Sequence, residues 1–231
     1  MHRLLSGLLA ALLPLVASAQ QPETTKIRLR AVLHDPLKPY AEMYFQGVAG
    51  GMERLNLAVE GLTEAQTVAV QKGTLRLFSS AKVDPAKPLA NLAATVTVPA
   101  EVKRAIVFIL PAAADAKPPY QLMVLNDSFA AFAKGESRVI NMTRLPLAVK
   151  AGEHAVEVSA GKITKIPPVT KVNDLNQAQT TFYRKLETEW SLLSERPTQY
   201  TPEVRNIFLM FVMPNVEEPQ IRTIIDTTTI P

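Results

Sequence analysis

Alternation of apolar and polar residues with a period of two runs through most of this chain, and no other feature of the sequence restricts the fold as strongly. It marks strands with one face buried and the other wet, because successive side chains of a strand point to opposite sides of a sheet. "KIRLRAVLH" (26–34) puts Ile27, Leu29, Ala31 and Leu33 on one side, with Arg28 and Arg30 on the other. "ERLNLAVE" (53–60) does the same with Leu55, Leu57 and Val59, and "GTLRLFS" (73–79) and "ATVTVP" (94–99) follow suit. Basic residues scattered in this way read as the solvated faces of strands. "RAIVFIL" (104–110) and "YQLMVL" (120–125) are more continuously apolar, which is expected of central strands covered on both faces.

Turn formers separate these runs: "HDPLKP", "GVAGG", "SSAKVDPAKP" and "PAAADAKPP", with most of the 18 prolines between strands. The second half repeats the style in "SRVINM" (137–142), "PLAVK" (146–150) and "HAVEVS" (154–158), with glycine bends in "KAGEH" and "SAGK". "TTFYRKLE" and "TEWSLLSE" suggest a hairpin over 182–194, and "NDLNQAQ" a loop or a short helix. No segment carries an apolar stripe of period 3.6 over three turns; "SFAAFAKG" and "TPEVR" could each give one helical turn. About eight strands precede Asn126 and about eight follow Ser137. That spacing predicts an all-β, antiparallel β-sandwich fold. Two stacked lobes, 25–128 and 129–231, are expected, with a single larger sandwich as the alternative.

"VRNIFLMFVMPNV" (204–216) holds seven apolar residues in a row, Ile207 to Met213. As a strand they reach about 23 Å at ~3.3 Å each; as a helix they would reach only about 10 Å. A spanning helix is excluded, and a strand covered on both faces is predicted. An outer-membrane barrel needs strands of about 9–11 residues with aromatic girdles. Most strands here are shorter, and aromatics make up only 6%.

The N-terminus, "MHRLLSGLLAALLPLVASAQQPE", has a basic residue, an apolar run from Leu4 to Val16 and a small-x-small site at Ala17–Ala19. That is the layout of a secretory signal peptide, 1–19, too short to span a bilayer as a helix. Without a Cys after the run, lipidation of the bacterial lipoprotein type is excluded. The expected location is periplasmic or extracellular, with no membrane span after cleavage. The chain has no cysteine, so the exported fold relies on its core rather than on disulfides. The 212 residues beyond the leader are enough for that. Taking Arg3 from the 25 Lys and Arg leaves 24 against 21 acidic residues. This weak, unclustered excess argues against nucleic-acid binding.

The stretch "IRLRAVLHDPLKPYAEMYFQG…LTEAQTVAVQKGTLRLF" resembles the DUF4397 domains, exported bacterial β-proteins without an assigned activity. Ile27–Leu33, Pro36 and Pro39, Met43–Gly47 and Gly73–Phe78 occupy the places of that layout. The later "DSFAAFAKGESRVINMTRLPLAVKAGEHAVEVSAGKITKIPP", with "TEWSLLSERP" and "VRNIFLMFV", is similar to other exported bacterial proteins. The resemblance implies an immunoglobulin-like sandwich and brings no catalytic residues with it.

Residues able to do chemistry are few. His34 and His154 stand alone, each beside turn formers, so no three-ligand metal site is legible and no cofactor is expected. Asp127, Ser128 and His154 could be written as a triad, but no G-x-S-x-G elbow surrounds Ser128, and Asp and Ser there more naturally cap backbone N–H groups. Glu187 with Glu189, and Glu217 with Glu218, are carboxylate pairs in expected turns. "GVAGG" (47–51) lacks phosphate-loop spacing and reads as a hairpin loop. Tyr183 and Trp190, the only tryptophan, would face one another across the 182–194 hairpin. Exposed, they would form a stacking platform for a sugar; buried, they would be core. The sequence therefore points to a non-enzymatic envelope protein that binds another protein or self-associates. A carbohydrate-binding module on Trp190 and Tyr183 is the alternative, and a hydrolase with an unrecognised site comes behind both.

Overall fold

The structure, a computed structural model, describes residues 23–227 apart from 36, 37, 39, 40, 59, 60, 114, 214 and 215. The expected leader, 1–19, lies outside the described residues. Sixteen strands and no helix are present among them.

The first eight strands form one sheet. They are β1 (Thr24–Leu33), β2 (Tyr44–Gln46), β3 (Met52–Arg54), β4 (Gln66–Gln71), β5 (Thr74–Phe78), β6 (Leu92–Thr97), β7 (Arg104–Pro111) and β8 (Tyr120–Asn126). Their order is β3-β2-β5-β4-β1-β7-β8, with β6 also paired to β5. The sheet curls until β6 lies against β8. All pairings are antiparallel except β1 with β7. The β4–β5 turn is Lys72-Gly73, both at positive φ (48° and 69°), the backbone that suits the right-handed twist of a two-residue hairpin.

The other eight strands form two four-stranded sheets. The middle sheet, β12-β9-β15-β16, comprises β9 (Ser137–Asn141), β12 (Ile163–Ile166), β15 (Arg205–Phe211) and β16 (Gln220–Asp226). The outer sheet, β11-β10-β13-β14, comprises β10 (Leu147–Ala151), β11 (His154–Val158), β13 (Gln177–Leu186) and β14 (Glu189–Gln199).

Side-chain parity builds three apolar layers between these sheets. On β1 and β7, odd-numbered residues such as Leu29, Ala31, Val107 and Ile109 point into the curl of the large sheet and form the first core. Even-numbered Val32, Ile106, Phe108 and Leu110 point out of it and meet Ile207, Leu209 and Phe211 of β15 in the second core. The opposite face of β15, Phe208 and Met210, packs on Val149 and Phe182 of the outer sheet in the third. The apolar run in β15 is continuous because both its faces are covered, and Arg205 through Phe211 are all buried. Met213, also buried, lies past the end of the strand.

Four readings need correction. Arg30, expected on a wet face with Arg28, is 3% exposed. The even face of β1 is solvated at Lys26 and Arg28, but from Arg30 onward the middle sheet covers it. "YQLMVL" is the end strand of its sheet rather than a central one, and most of its residues are half-buried. "ERLNLAVE" does not continue as a strand. β3 stops at Arg54, and only Ala58 among its later described residues bridges to a strand, at Val32. The hairpin strands run longer than 182–194, spanning Gln177–Leu186 and Glu189–Gln199. "SFAAFAKG" does give one helical turn, with Phe132 N donating to Ser128 O at 2.8 Å.

Candidate functional site

The outer sheet presents one face to the third core and the other to solvent. Register places residues in rows on the solvent face. Ala148 pairs with Glu157 on one side and Tyr183 on the other; Tyr183 pairs with Leu192, and Lys185 with Trp190. Alternation along β13 turns Phe182 inward, fully buried against Phe208, and Tyr183 outward, and the register slips between them with Leu193 as the extra residue on β14. Small side chains, Ala148 and Ala155, leave a shallow, open depression of about 350 Å³, walled by Tyr183 and Trp190, with Lys150 and Glu157 also lining it.

Trp190 is thus 37% exposed, and its face neighbour Leu192 is 57% exposed. The structure brings the two sequence candidates, Tyr183 and Trp190, to one wall and places both outside the core. Lys185 Nζ stands 5.7 Å from the centre of the Trp190 ring, close enough for a cation–π contact. The side chains of Lys150 and Glu157 make no ion pair or hydrogen bond with any described residue. The depression therefore offers two ring surfaces, an ammonium and a carboxylate, all addressed to the outside.

The other candidates are dispersed. Asp127 is buried in an ion cluster, Ser128 Oγ accepts from Ala131 N, and His154, at the start of β11, has its Nε2 3.1 Å from Pro168 O. No triad forms from them. Glu187 and Glu189 are exposed at the tip of the β13–β14 hairpin, and Glu218 pairs with Arg184 at 3.1 Å. Among the described residues, no three His, Asp or Glu side chains are grouped to hold a metal. "GVAGG" forms the β2–β3 hairpin loop.

A buried cluster of four charged residues was not legible as a site. Arg30, Asp127, Arg205 and Asp226 form a buried cluster beside the second core, each at most 3% exposed. Arg30 Nε and Nη2 donate to Asp127 at 3.0 and 2.7 Å, and Arg205 Nη2 donates to Asp127 Oδ1 at 2.8 Å. Arg205 Nε donates to Asp226 Oδ2 at 3.0 Å and Nη1 to Phe132 O at 3.0 Å, with the guanidinium 4.3 Å from the Phe132 ring centre. Burial alone would lower the Arg30 pKa; the bonds to Asp226 and Asp127 outweigh it and hold the guanidinium above its ordinary value. Two cations and two anions with no access to solvent make a structural fastener. Arg205 carried the one readable signal: it shares parity with Ile207 and Leu209 on a strand covered on both faces.

Fold and depression together define an all-β chain of packed sheets with an open aromatic surface on its outermost layer. No protein-family model matches the chain, and no curated protein matches it in sequence.

Proposed function

We propose that this is an exported, non-catalytic binding protein of a bacterial envelope that receives a carbohydrate chain on the solvent face of its outer sheet. The observation that carries the reading is the placement of Tyr183 and Trp190 on one open depression, with the Lys150 and Glu157 side chains beside them making no ion pair or hydrogen bond with any described residue. A sugar ring has an apolar face that stacks on an aromatic side chain and a rim of hydroxyls that donate and accept hydrogen bonds. Rings plus an ammonium and a carboxylate match both requirements. An open depression suits a stretch of polymer lying across the sheet. The leader-like N-terminus and the resemblance to exported bacterial β-proteins support the compartment. A glycan array probed with the wild type and with Trp190→Ala tests it: signal on defined glycans that disappears in the variant is expected, and absence of signal, or equal signal in both, refutes it.

A second reading is favoured by a different observation. β14 ends its sheet, 11 residues long, with Leu186 and Leu192 exposed along the hairpin. An unpaired edge of that length can accept a strand from another envelope protein or from a second copy. Light scattering after size exclusion separates the two: a dimer that Leu192→Lys dissolves supports pairing at this edge.

A further inference from the structure

The outer face of the large sheet holds a second candidate site, unrelated to the aromatic depression. Phe78 is on the solvent side of β5, yet it is only 7% exposed. The segment after it, 79–91, folds back over the sheet and forms a groove of about 490 Å³ lined by Val83 and Leu89 together with Met52. This covering segment leaves Leu89 itself 55% exposed and Val83 39% exposed, so the apolar side of the groove is unfilled.

The sheet floor is polar. Gln71 Nε2 donates to Gln46 Oε1 at 2.5 Å, and both amides line the groove. Arg76, half-buried, is the only charged residue among those lining the groove. Its side chain makes no ion pair or hydrogen bond with any described residue. A guanidinium is a rigid fork matched to a carboxylate. Here it stands beside an unfilled apolar wall, in a groove within the range that holds small ligands.

We propose that this groove binds a long-chain carboxylate, a free fatty acid anion, with its head on Arg76 and Gln46 and its tail along Met52, Val83 and Leu89. Charge complementarity selects the anion, and the exposed Leu89 and Val83 select the tail.

Isothermal titration of the purified chain with dodecanoate, dodecanol and dodecyltrimethylammonium tests this. Dodecanoate is expected to bind saturably, with the alcohol at least tenfold weaker and the cation not at all. Arg76→Gln is expected to weaken dodecanoate at least tenfold and to leave dodecanol unchanged. Leu89→Asp, at an exposed position that does not support the fold, is expected to weaken both, and it decides the matter if Arg76→Gln does not fold. Trp190→Ala is expected to bind dodecanoate as the wild type does, so failure here and failure of the carbohydrate reading are distinguishable. Absence of dodecanoate binding, or equal binding of dodecanoate by wild type and Arg76→Gln, overturns the proposal.

Discussion

Arg30 in the first strand grips Asp226 in the last with two hydrogen bonds, Nη1 to Oδ1 at 3.0 Å and Nη2 to Oδ2 at 2.9 Å, across 196 positions of chain. Asp127 and Arg205 complete the cluster, so one fastener ties the large sheet to the middle sheet. Removing one charge from a buried pair costs about 3–5 kcal/mol, because the partner is left uncompensated. Asp226→Asn is therefore expected to lose about that much in urea unfolding, with both halves unfolding in one transition. Replacing all four residues together by Met and Leu is expected to cost less than Asp226→Asn alone. A loss below ~1 kcal/mol for the single variant contradicts the fastener.

Covering β15 on both faces makes its alternate residues equally important. Leu209→Ala opens the second core and Met210→Ala the third. Each is expected to cost about 2–5 kcal/mol. A strand wet on one face would show the cost at one position only, so a Met210→Ala variant as stable as wild type contradicts the layering.

His34 joins the end of β1 to the middle sheet. Arg222 Nη1 donates to its Nδ1 at 2.8 Å, which puts the ring proton on Nε2, and the ring meets Phe211 edge-on at 4.5 Å. Burial, and then the Arg222 charge, lower its pKa below the usual 6.5. A histidine depressed in this way favours the folded state while neutral, so its contribution is present above pH ~6.5 and is lost as pH falls through the folded value. Stability measured from pH 7.5 downward is expected to decline in that window, and His34→Gln to flatten the slope. An unchanged slope in the variant places its cause elsewhere.

Glu153, at the β10–β11 turn, accepts from Thr170 N and Oγ1, both at 2.7 Å, and from Lys171 N at 3.3 Å, clamping the 168–172 segment. Those bonds, chiefly the Thr170 N–H and hydroxyl, hold its pKa down at about 2. Gly152 precedes it at φ +53°, where a Cβ would meet Val169 Cγ1 at 2.5 Å, so the turn needs glycine. The clamp is present above the ordinary pKa of 4.5 and fades as pH falls through about 2. Protease cleavage within 168–172 is expected to rise over that interval in the wild type and to be high at every pH in Glu153→Gln. Equal cleavage of both chains at pH 6 contradicts the clamp.

Much of the fold was legible because strand burial leaves a local trace. Ile207–Met213 and "RAIVFIL" (104–110) read as doubly covered strands from their continuous apolar character, and the first of these strands ends at Phe211. Arg30 was not legible, since "KIRLR" presents Lys26, Arg28 and Arg30 with the same alternation; what buries the third is a strand almost 200 residues away. "ERLNLAVE" misled because alternation records burial rather than hydrogen bonding, and Leu55 is buried without being in a strand. Tyr183 and Trp190 were legible as neighbours from hairpin spacing. Their exposure was not, because it depends on no described residue packing on the far face of the outer sheet. The groove at Arg76 left no local signal, since it is made by a proline-bearing segment that reads as an ordinary loop.

Trp190 is the chain's only tryptophan, so tryptophan emission from the folded chain comes from the aromatic depression. Titrating the purified chain with soluble cell-wall glycan fragments is expected to shift that emission saturably, and Tyr183→Ala to weaken the apparent affinity about tenfold, ~1.4 kcal/mol. Emission unchanged to millimolar glycan, from a chain whose dichroism shows it folded, would contradict carbohydrate binding at this face.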